Sequence, residues 1–104
     1  MNRTYNAFVF GGAMNFDSVE LYQMKEFIKS IEGQKVVLTI SLNKELSTKD
    51  AGEIYKDFKQ ELDVQGKAVG GAIKYDNEKD KDAINNHIAV FEGAVLNVMV
   101  STIN

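Results

Sequence analysis

The sequence predicts a small α+β domain, a two-layer sandwich with two main helices packed on a three- to five-stranded mixed sheet. Three observations lead there. Val36, Leu38, Ile40 and Leu42 alternate with less apolar residues, the pattern of a strand, whose successive side chains point to opposite faces. Two other segments repeat apolar residues at helical spacing. The 104 residues, 44% hydrophobic and 26% charged, suit one core spanning residues 1–104 and exclude wholesale disorder.

Taken in order, residues 5–10 (Tyr-Asn-Ala-Phe-Val-Phe) are short, aromatic and β-branched and read as a first strand ended by Gly11-Gly12. Asp17 stands three residues before Glu20 as a helix cap, and Leu21, Met24, Phe27, Ile28 and Ile31 follow at helical spacing. A helix over 18–32 is expected, with Gly33 after its end. Lys35 to Leu42 is the clearest strand. Ser47 or Thr48 then caps a second amphipathic stripe of Ala51, Ile54, Tyr55, Phe58 and Leu62, which stops before Gly66. Ala68 to Tyr75 reads as a third strand, weakened by Gly70-Gly71, a pair that suggests a bulge, a bend or close approach of another backbone. Residues 76–82 read as a solvated loop. Residues 83–94 fit either a short helix, capped at Asp80 or Asp82, or a hairpin; the spacing of Ile84, Ile88, Phe91 and Val95 favours the helix. Val95 to Ile103 is the last strand. Short connections favour parallel crossovers in the first half, so a ferredoxin-like or related two-layer topology is expected. No internal repeat, linker or low-complexity segment is apparent.

Composition excludes several classes of function. Without cysteine there is no disulfide, thiolate nucleophile or cysteine-ligated metal. The start of the chain lacks the apolar core of a signal peptide, and no apolar run is long enough to span a membrane, so the expected location is the cytoplasm. The net charge is −3 and Arg3 is the single arginine, which weighs against a nucleic-acid binder.

Four constellations carry chemical interest. The Gly11-Gly12 turn before a helix could offer backbone N–H groups to an anion, though it lacks the spacing and lysine of a phosphate loop. Asp76, Glu78, Asp80 and Asp82 alternate like calcium ligands, but Lys81 and His87 stand where a glycine and a closing glutamate are required, so no metal and no cofactor is expected. His87, the one histidine, has no partner that the sequence can name; a place in a core edge or interface outweighs catalysis. The apolar surplus of Phe8, Phe10, Phe16, Met99 and Ile103, with Val37, marks a sheet face in need of cover.

The expected function is therefore that of a small non-enzymatic interaction protein: an adaptor, inhibitor or accessory factor of phage or plasmid type. It would act through protein–protein contact, with a protein partner or a second copy on the apolar face. Two alternatives stand beside it. One is a nucleic-acid-binding or recombination accessory protein, using Lys25, Lys29, Lys56 and Lys59 and stacking aromatics. The other is a small-ligand binder or small enzyme built on Gly11, Gly12 and His87.

Overall fold

In a computed structural model, residues 1–46 and 62–103 are described, the side chains of Leu62 and Asp63 excepted. The strands are β1 (Asn2–Phe10), β2 (Ala13–Asn15), β3 (Lys35–Leu42), β4 (Leu62–Val69), β5 (Ala72–Tyr75) and β6 (Val95–Thr102). The helices are α1 (Ser18–Ser30) and α2 (Glu78–Val90). The strands form one curled, half-barrel sheet in the order β2-β1-β6-β3-β4-β5, antiparallel at every pairing. Among the described residues strand outweighs helix. This corrects the expected ferredoxin-like two-layer sandwich and its mixed sheet of three to five strands.

The physical source of the difference is the pair of diglycines. Gly11 and Gly12 both have positive φ, 65° and 72°, as do Gly70 and Gly71, at 58° and 88°. Two such residues make the tight hairpin turn whose twist suits paired strands. Thus Phe10 pairs with Ala13, and Val69 with Ala72. The first diglycine is not merely the end of a strand, and the second is not a bulge. Each turns the chain back into a short extra strand.

The expected absence of an internal repeat is corrected too. Both halves of the described chain run strand, diglycine, strand, helix, strand, and the strand order is unchanged when β1–β3 are exchanged with β4–β6. Gly11-Gly12-Ala13 corresponds to Gly70-Gly71-Ala72, Ile28 to Ile88, and Glu32-Gly33 to Glu92-Gly93. Hydrogen bonds repeat in step. Val9 N–H donates to Ala94 O and Gly93 N–H to Val9 O, while Ala68 N–H donates to Gln34 O and Gly33 N–H to Ala68 O. The central β3–β6 ladder is symmetric about the Thr39–Met99 pair, with Leu38 opposite Val100 and Ile40 opposite Val98. The fold is two interlocked ββαβ units. β6 inserts between β1 and β3, which is why the adjacent parallel crossover expected there does not form.

Local reasoning holds for several elements. Asp17 Oδ1 accepts from Glu20 N–H at 2.8 Å and caps α1, and Gly33 beyond its end has φ 85°. β3 has the expected bounds, with Val36, Leu38, Ile40 and Leu42 buried. Residues 78–90 are helix rather than hairpin, but Asn77 is the cap, and most of the supposed 76–82 loop is the first turns of α2. Leu62 opens β4; the rest of the second expected helix lies outside the described residues. The core joins Ile28, Ile31, Ile84, Ile88 and Phe91 to the inward residues of β1, β3, β4 and β6.

Candidate functional site

Alternation sends Tyr5, Ala7, Val9, Leu96, Val98 and Val100 to the core and their neighbours to the second face of the sheet. That face carries Asn15, Phe8 and Val95 in one cross-strand row, Asn6, Asn97 and Ser41 in the next, then Thr4, Met99, Thr39 and, by register, Asp63. Asn2, Ser101, Val37 and Gln65 follow, and Lys35, Lys67 and Lys74 form a row at the far end. Its centre is half-buried. Its aromatic end is open, with Phe8 47% and Phe10 69% exposed.

The face is ordered by polar contacts as well. Asn43 Nδ2 donates to Asn97 Oδ1 at 3.1 Å and to Asn6 Oδ1 at 3.4 Å, while Asn43 Oδ1 accepts from the N–H groups of Glu45 and Leu46. Asn15 Nδ2 donates to the carbonyls of Phe8, Phe10 and Ala13, which fixes the first hairpin. Of the residues expected to share an interface, Phe8, Phe10 and Met99 lie on this face. Ile103 follows the end of β6, 40% exposed, with its N–H donating to Lys35 O. Phe16 departs from them and packs against the core.

The diglycine turn does hold an anion, and the protein supplies it. Gly11 N–H donates to Glu92 Oε1 at 2.8 Å and Gly12 N–H to Glu92 Oε2 at 3.0 Å. The second unit repeats this across the molecule, where Gly70 N–H donates to Glu32 Oε1 at 2.9 Å. Each glutamate sits just after the helix of one unit and secures the hairpin of the other. Sequence reading missed both; the repeated Glu-Gly after an apolar run is the signal that points to them.

A groove of about 230 Å³ lies beside Gly12, walled by Met14, Phe16, Tyr75, Ile84 and Ile88, with Lys81 and Asn85 among its polar lining. The two units differ at the glycine beside it. A Cβ on Gly71 would meet the Lys29 side chain at 3.4 Å, whereas one on Gly12 would meet nothing within 4 Å. Ala89 stands in α2 where α1 has Lys29. Burial raises the Tyr75 phenol above its ordinary pKa.

His87 does not line that groove. Its ring tilts against Phe91 with centroids 4.9 Å apart, and its Nε2 is buried without a hydrogen-bond partner among the described residues. Burial lowers its pKa. Among the described residues no polar or charged residue is fully buried in the core. Among the described residues no group of acidic or histidine side chains could hold a metal ion, and no helix is long and apolar enough to cross a membrane. What the arrangement offers chemically is a shaped surface. Comparison with protein families, curated proteins and solved structures finds no match to this chain.

Proposed function

We propose that this protein is a non-enzymatic interaction protein, an adaptor, inhibitor or accessory factor of the cytoplasm that binds another protein with the second face of its sheet. The observation that carries this reading is the exposure of Phe8 and Phe10 on a face whose centre is ordered by Asn6, Asn43 and Asn97. Two exposed phenylalanines offer a partner apolar contact area, and aromatic anchors dominate binding energy at interfaces. The single arginine is engaged elsewhere: the Arg3 guanidinium lies over the Phe27 ring at 5.8 Å, on the side of α1.

The test compares wild type with the double variant Phe8→Thr, Phe10→Thr, which keeps strand propensity and removes the anchors. The two proteins are matched in melting temperature, then compared by sedimentation and by quantitative capture from producing cells. Specific association by the wild type, with itself or with another protein, is expected to fall at least about tenfold in the variant, as for the loss of one hot-spot pair. Equal association by both proteins, or none by either, overturns the reading.

A further inference from the structure

We infer that the occupant of this face is an acidic polypeptide segment whose carboxylates meet a row of lysines at its far end, an inference that rests on the interaction reading above. Lys35 of β3 pairs directly with Lys67 of β4, and Lys67 with Lys74 of β5. All three are exposed on the same face. Residues directly opposite across antiparallel strands have Cβ atoms about 5 Å apart, and like charges placed so destabilise the sheet. The fold tolerates an unfavourable arrangement here.

Among the described residues no ion pair to this row is formed. The adjoining row, Asn2, Ser101, Val37 and Gln65, is uncharged. Glu32, a few residues before Lys35, is turned to Gly70 N–H. Asp76, just after Lys74, makes no ion pair with the row; the ion pair found among the described residues is Lys29 with Glu26. A lysine on an edge strand commonly blocks unwanted strand pairing, which accounts for Lys74. It does not account for Lys35 and Lys67, whose strands are flanked on both sides.

The duplicated fold supplies an internal control. The positions that correspond to Lys35, Lys67 and Lys74 in the other unit are Val95, Phe8 and Asn15, which also form one row across three strands. The ββαβ scaffold therefore does not require lysine at these places. One end of the face is cationic and the equivalent end is aromatic. The two ends are separated by about 25 Å along the strands, at roughly 3.3 Å per residue, with Asp63, opposite Thr39, as the one acidic register position in the rows between them.

That pattern fits an extended peptide with carboxylates at one end and apolar residues at the other. It fits a nucleic acid poorly. A polyanion brings regularly repeated charge, about one per 1.7 Å of duplex, and would extend past three lysines onto a molecule of net charge −3.

The test uses fluorescence anisotropy on the intact protein. The probe is a short fluorescein-labelled peptide with a run of glutamates at one end and valine and phenylalanine at the other. A second peptide replaces glutamate by glutamine, and an oligothymidylate of matched charge is the third ligand. The glutamate peptide is expected to bind more tightly than the glutamine peptide and to weaken with added salt. The variant K35Q/K67Q/K74Q should bind it about tenfold less tightly, as the loss of three exposed ion pairs implies, and should melt no lower than wild type. A control variant, K25Q/K79Q, should bind like wild type. Equal affinity for both peptides, no binding of the glutamate peptide, or unchanged binding by the triple variant overturns the inference. So does tighter binding of oligothymidylate. Loss of partner binding or self-association in the Phe8, Phe10 variant but not in the lysine variant retains the face and rejects its acidic occupant.

Discussion

His87 occupies in α2 the position that Phe27 occupies in α1, and the exchange has a cost. Nε2 is buried without a partner among the described residues, and burial lowers the imidazole below its ordinary value of 6.5. As pH falls below that value, the unfolded chain takes up a proton that the folded protein resists. The associated stability is present above about pH 6.5 and lost as pH drops toward the depressed folded value. His87→Phe should therefore raise stability by about 1 kcal/mol at neutral pH, through removal of an unsatisfied buried atom. It should also flatten the decline between neutral and mildly acid pH. Urea denaturation of both proteins at two pH values checks this; an unchanged acid slope in the variant removes His87 as its source. Gly66 illustrates a different constraint. A Cβ there would collide with the Lys74 carbonyl oxygen, so glycine lets β4 and β5 approach. Neither feature was legible from residue type, because both depend on what a neighbouring element places alongside.

Among the elements, the hairpins and their clamps matter most. β2 and β5 are three and four residues long and are held at the sheet edges by the diglycine turns and by side chains from the other unit. Glu92 accepts two backbone N–H groups and Glu32 one. Charge-assisted bonds at an exposed site contribute at the lower end of their range, about 1 kcal/mol each. Glu92→Ala should thus cost about 2 kcal/mol and Glu32→Ala about half as much, measured as shifts in urea midpoint at constant slope. A larger loss from Glu32→Ala would contradict the count of donors. The edges receive further protection on β1, where Glu20 from α1 accepts from Asn6 N–H beyond the reach of β2. β3 and α1 were legible because periodicity and a cap residue are local signals. The extra strands were not, since a three-residue strand has too little pattern to separate it from a turn.

For the whole molecule, the interlocking of the two units predicts one unfolding transition. β6 of the second unit pairs with both β1 and β3 of the first, and β3 pairs with both β6 and β4. Removal of either unit would leave strands of the other unpaired and its core open. Ile28 and Ile88 occupy matching places, at 4% and 3% exposure. Ile28→Ala and Ile88→Ala should each cost about 2–5 kcal/mol, a large share of the stability of a domain this size. Each should also lower amide-exchange protection in both units together. Selective loss of protection in the mutated unit alone would show two independent cores. The same symmetry gives the candidate site its meaning. What both units keep (hairpin turn, helix cap, glutamate clamp) serves the scaffold, and the surface positions at which they diverge are where binding is sought.

The sequence by itself determined the α+β class, the bounds of β3, the start of α1 and the absence of cysteine chemistry. These follow from alternation, helical spacing, capping and composition, all readable within a few residues. Only the tertiary structure decided the six-stranded antiparallel order, the pairing of each glutamate with the opposite diglycine, and the gathering of three lysines into one row. Strand neighbours and cross-strand register join residues far apart in the chain, and one step of register moves a side chain to the opposite face. No local pattern carries that information, so the surface proposed here to bind a partner became visible once the sheet was assembled.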